Sequence, residues 1–118
     1  MAKTLQPKAV IPVPLAIKNI QTGDSNKPGT DLVFRYHNDG HPNQTCAFLV
    51  ANLFYAAITG KSPESLRFNS VTENKLNKGK DPDGGEPTVV FDHKVKAHLQ
   101  RMAHQSMLDF KRRVEKEK

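Results

Sequence analysis

A chain of 118 residues has room for one domain and one small core. Its formal net charge of +6 would suit an anionic partner, but the cations are scattered and the basic tail is interleaved with glutamate, so no nucleic-acid partner is expected. A single cysteine, Cys46, excludes an intrachain disulfide, and no apolar run reaches the roughly 20 residues that a membrane-spanning helix needs.

Residues 1–8 are polar and read as a lead-in without the apolar core of a signal peptide, which leaves the compartment open. Residues 9–13, AVIPV, read as a short buried strand whose ladder bonding Pro12 limits. Leu15, Ala16 and Ile20 predict a helical turn or two. The next segment, QTGDSNKPGT, carries turn signals throughout. Residues 31–36, DLVFRY, form a short apolar approach to a polar turn at His37, Asn38, Asp39 and Gly40, followed by His41-Pro42. A residue before proline avoids the α region, so His41 is expected to be extended.

Cys46 to Ile58 spans thirteen residues in which only Asn52 is strongly polar. The pattern predicts a helix over 44–59, capped by Asn43 or Thr45 and stopped by Gly60. Apolar residues on nearly every face predict burial all round. Cys46 inside it is expected to be an inert buried thiol. Pro63 marks a second helix start. Residues 69–87 read as a mobile surface loop with its sharpest turn at Asp81-Pro82-Asp83-Gly84-Gly85, and residues 88–91 as a short extended piece. Asp92 is expected to cap a final helix from His93 toward Glu117. Its apolar stripe comprises Val95, Leu99, Met102, Ser106 and Phe110, with Ala103 and Met107 beside it. Residues 111–118 form a charged, solvated tail.

The five histidines are His37, His41, His93, His98 and His104. The first two share a loop and the rest are spaced five and six apart, so no metal site is expected. No glycine loop suited to cradling phosphate is present, and no cofactor is expected.

Several segments together resemble the C-terminal catalytic block of the SGNH hydrolases, the GDSL-type esterases and lipases. They are Asn38-Asp39-Gly40-His41-Pro42-Asn43, then Ala47-Phe48-Leu49-Val50-Ala51, Leu53-Phe54-Tyr55-Ala56-Ala57 and Thr59-Gly60-Lys61-Ser62-Pro63. Upstream the likeness takes in Val10 to Ala16, and downstream Leu99-Gln100-Arg101-Met102-Ala103. The resemblance implies an α/β chain, helix-dominated, forming the C-terminal part of a three-layer α/β/α (flavodoxin-like) fold, with residues 9–13 as the last parallel strand. It implies serine ester hydrolysis, on an acyl-ester substrate such as an acylated carbohydrate.

In that family an Asp and a His three residues apart share one loop, so the resemblance makes His41 the general base. Asn38 occupies the aspartate's place, and Asp39 would serve if the loop shifted by one residue. An Asp-to-Asn exchange in the serine-protease triad costs about 10⁴ in rate. Cys46 stands where the family has glycine. Gly23-Asp24-Ser25 has the letters of the nucleophile motif, but it lies in a polar turn behind the would-be final strand and reads as an ordinary Asp-Ser turn. Neither the serine block nor its oxyanion donors has a counterpart. The expectation is a partial domain, inactive alone, with a missing N-terminal part or self-association covering its apolar faces. The rival expectation is a non-catalytic helical protein-interaction module with a basic surface.

Overall fold

The computed structural model describes residues 11–22, 32–38, 40–73 and 80–116. Three helices, α1 (Val13–Gln21), α2 (Gln44–Thr59) and α3 (His93–Lys116), pack with one two-stranded sheet, β1 (Ser70–Thr72) and β2 (Thr88–Val90). The fold is mixed α/β and mostly helical. The sheet is antiparallel, with Ser70 opposite Val90, Val71 opposite Val89 and Thr72 opposite Thr88. Among the described residues there is no parallel strand.

The strand expected over 9–13 takes a different form. Ala9 and Val10 lie outside the described residues, Pro12 is the N-cap of α1, and Val13 is already helical. Pro14 falls in the first helical turn, where a missing N–H costs nothing. Two prolines around Val13 therefore favour a helix start over a ladder that needs their N–H groups. The polar stretch 69–87 also contains more order than its composition suggests, because β1 lies within it.

Helices α2 and α3 end where their capping residues dictate. Asn43 Oδ1 accepts from the Cys46 N–H at 3.0 Å. Gly60 closes α2 in the left-handed region at φ 71°, its N–H donating to the Ala56 carbonyl at 2.9 Å. Asp92 Oδ1 accepts from the Val95 N–H at 3.0 Å at the start of α3. Pro63 opens only a single 3₁₀ turn, Pro63–Ser65, with Ser62 Oγ accepting from the Glu64 N–H at 3.3 Å.

One hydrophobic core joins all three helices. It comprises Ala16 and Ile20 of α1, Cys46, Phe48, Leu49, Leu53 and Ala56 of α2, and Leu99, Ala103 and Met107 of α3, closed by Phe34 and Phe91. Phe48 stacks on Phe91 with ring centroids 4.5 Å apart and meets Phe68 at 5.0 Å. Two polar pairs cross this core. Gln100 Nε2 donates to Asn52 Oδ1 at 3.2 Å, and Asn52 Nδ2 donates to the Phe48 carbonyl at 2.8 Å. Asn19 Nδ2 donates to Ser106 Oγ at 3.1 Å, tying α1 to α3.

The all-round burial expected for α2 is not what the packing delivers. Phe48, Leu49, Asn52 and Leu53 are sealed, yet Phe54 is 48% and Ile58 72% exposed. Ala47 and Ala51 on the same side are exposed too. Successive offsets of four, three and four residues put these four positions on one stripe. Among the described residues, this stripe of the helix is left exposed.

Candidate functional site

The candidate site is the turn that delivers the chain to α2. Its base is a bridge between Arg35 and Pro42 in antiparallel sense. The Asn43 N–H donates to the Phe34 carbonyl at 3.1 Å, and the Tyr36 N–H donates to the His41 carbonyl at 2.8 Å. At the tip, Gly40 takes φ 72°, a left-handed conformation that favours glycine, and its N–H donates to the Tyr36 carbonyl at 3.0 Å. Arg35 Nη1 donates to the Gly40 carbonyl at 3.0 Å. Asn43 holds both ends, since its Nδ2 donates to the Val33 carbonyl at 2.8 Å while its Oδ1 caps α2. Tyr36 is buried beneath the turn, and His37, Asn38 and His41 are exposed on it.

Two of the three candidate residues singled out in the sequence, His41 and Asn38, thus share one braced turn. His41 sits at its far end with its backbone fixed. Asn38 donates its Nδ2 hydrogen to the Pro82 carbonyl at 2.9 Å, so one end of its amide is committed to the 81–85 turn. Asp39, the other candidate orienter, lies outside the described residues, as does the Gly23-Asp24-Ser25 triplet.

Sequence reasoning missed the carboxylates that hold this turn from the neighbouring segment. Asp83 accepts from two successive backbone N–H groups, that of His37 on Oδ2 at 2.9 Å and that of Asn38 on Oδ1 at 2.8 Å. Asp81 shapes the turn that carries Asp83. Its Oδ1 accepts from the N–H groups of Asp83 at 2.9 Å and Gly85 at 2.8 Å. Those bonds favour the charged form. The Gly85 N–H is the main reason that the Asp81 carboxyl titrates below its ordinary range, and Gln44 contributes a further, smaller lowering. Gln44, buried in the first turn of α2, donates through Nε2 to the Pro87 carbonyl at 3.1 Å and, at a longer 3.4 Å, to Asp81 Oδ2. The only sequence signal for any of this was the pair of aspartates in a proline-glycine turn, which says nothing about their partners.

A cleft of about 490 Å³ opens beside the base of the turn, with Val13, Ile17, Phe34 and Cys46 among its walls and Lys18 and Arg35 among its polar ones. Cys46 is 6% exposed. Burial pushes its thiol up from the ordinary range, against a smaller opposing pull from the Arg35 cation. A thiol so placed is a poor nucleophile at neutral pH.

Chemically the turn offers two solvent-facing imidazoles, those of His37 and His41, on a braced backbone, able to exchange protons with a group brought to them. Among the described residues no group of three histidine, cysteine, aspartate or glutamate side chains could hold a metal ion. No helix among them is long and apolar enough to cross a membrane. No protein-family model, curated protein or solved structure matches the chain.

Proposed function

We propose that this chain is the C-terminal portion of an SGNH-type serine ester hydrolase, the part that supplies the histidine base to a three-layer α/β/α enzyme. His41 takes the proton of a serine hydroxyl as that oxygen attacks an ester carbonyl, and returns it to the departing alcohol. A water activated by the same imidazole then releases the acyl group. Asn38 or Asp39 orients the ring. Asparagine there would accept a hydrogen bond without stabilising the imidazolium by charge. The serine and the oxyanion donors come from residues outside this chain, and the substrate is an acyl ester, an acylated carbohydrate being one class that fits the reaction.

The observation that carries this reading is the bare side of α2. A helix with a sequence suited to burial on every face leaves Ala47, Ala51, Phe54 and Ile58 open, along the helix that leads away from the turn presenting His41. That is the surface a missing sheet would cover. The bracing of the turn adds support, because a general base has to be held in register with its nucleophile.

The test is ester turnover by this chain alone and by the same chain joined to the coding sequence upstream of it. The expected result is no His41-dependent hydrolysis of p-nitrophenyl acetate alone, and hydrolysis abolished by His41→Ala when the two parts are joined. Turnover by the isolated chain, or a joined protein indifferent to His41→Ala, would overturn the reading.

A second reading, a non-catalytic helical interaction module with a basic surface, draws support from one observation. Among the described residues, α1, α2, α3, Phe34 and Phe91 form one continuous buried core, with Val71 of β1 and Val89 of β2 packed against it. This alternative expects a monomer at high concentration, whereas a hydrolase portion with a bare apolar face should self-associate.

A further inference from the structure

The 81–87 segment is chemically matched to the His41 turn at several points. His37 and Asn38 present their N–H groups to the same side, forming a small concave anion site in the backbone. The anion that fills it is internal, the Asp83 carboxylate, bonded through both oxygens. Asn38 Nδ2 to the Pro82 carbonyl adds a third link at 2.9 Å. The clasp has its own support. Asp81 accepts from Asp83 and Gly85, and the Gly84 N–H donates to the Asp81 carbonyl at 2.9 Å. A Cβ on Gly85 would stand 3.1 Å from Asp81 Oδ2, so a larger residue there would press on the carboxylate that shapes the turn. Gln44 anchors the far side of the clasp to α2 through Pro87.

We propose that Asp83 is the positioning residue of the His41 turn. It acts through the backbone of His37 and Asn38, fixing the angle at which the turn offers the imidazole, and the 81–87 segment is a clasp that couples this angle to the first turn of α2. Calling His41 catalytic rests on the hydrolase reading. The clasp itself does not, because it is read from contacts within this chain.

Amide hydrogen exchange and imidazole resonances, followed by NMR in this chain, separate the two. Each net hydrogen bond is worth about 1 kcal/mol, which is about fivefold in a local opening equilibrium, and bonds to a charged acceptor are worth more. Asp83→Ala should therefore speed exchange at His37 and Asn38 at least about fivefold and shift the His41 ring resonances. Exchange at Leu53 and Ala103, and the rings of His93 and His104, should not change. Asp83→Asn keeps one acceptor oxygen and should fall between the two. Unchanged exchange at His37 and Asn38, an unmoved His41 ring, or acceleration shared equally by the core amides would overturn the proposal. None of these readouts depends on ester turnover, so failure of the hydrolase reading would leave the clasp standing, and failure of the clasp would leave that reading to its own assay.

Discussion

Helices α2 and α3 pack against each other along much of their length, yet their sequences make opposite demands. Helix α3 is amphipathic. Leu99, Ala103, Ser106 and Met107 are buried, while Arg101, Gln105 and Leu108 face outward. Its stripe and its surroundings agree. Helix α2 carries more apolar surface than the described residues cover, with Leu49 and Leu53 fully buried and Ile58 72% exposed. The difference shows that apolar composition reports a demand for burial, and not where the covering surface is encoded. In α3 the stripe of Leu99, Ala103 and Met107 is buried within the chain, and only Leu108 and Val114 among its described large apolar residues stand exposed. In α2 the stripe of Ala47, Ala51, Phe54 and Ile58 remains open among the described residues.

The largest effect should come from the side of α2 that is satisfied. Leu53→Ala removes a fully buried side chain from the junction of the helices and should cost about 2–5 kcal/mol in chemical denaturation. A loss below about 1 kcal/mol would mean that the core is looser than the close packing of its side chains implies. The bare side should behave in the opposite way. Changing Phe54 and Ile58 together to glutamine should leave stability within about 0.5 kcal/mol of the parent for each position, since neither seals the core. The same pair should reduce self-association in sedimentation velocity. A protein that is monomeric before the change, or that associates equally after it, would remove the contrast between the two sides and favour the self-sufficient module.

What could be read in advance follows from the range of the physics involved. The limits of α2 and α3 were legible because Asn43, Gly60 and Asp92 act on their own neighbours, within a few residues. The exposure of His41 on a turn was legible for the same local reasons, from Asp39-Gly40 and the His-Pro step. The α1 start was misread as a strand because Val10, Ile11 and Val13 have β-branched side chains, while the prolines flanking Val13 decide the backbone. The clasp was not legible at all. Asp83 bonds to main-chain N–H groups, which every residue but proline possesses, so no residue type at positions 37 and 38 could advertise it. The open face of α2 was illegible too, because its pattern specifies burial but names no partner.

The two helices also differ in how their first turns are secured, and acid should expose this. Helix α3 is capped by its own neighbour, Asp92. Helix α2, besides Asn43, is tied through the Gln44 side chain to the segment that Asp81 shapes. The Asp81 carboxyl is held below its ordinary range by the Gly85 N–H and, less strongly, by Gln44, so its folded pKa lies under the unfolded value near 3.9. Its contribution to stability is then fully present above that unfolded value and is lost as pH falls through the lower folded one. The Gly85 amide and Gln44 side-chain resonances should hold steady from neutral pH to about 4 and move only below it. Asp81→Asn, which cannot titrate, should remove that transition. Movement of the same resonances at about pH 5 or above would mean that Asp81 gains nothing from its donors, and the clasp would lose the turn that aims Asp83.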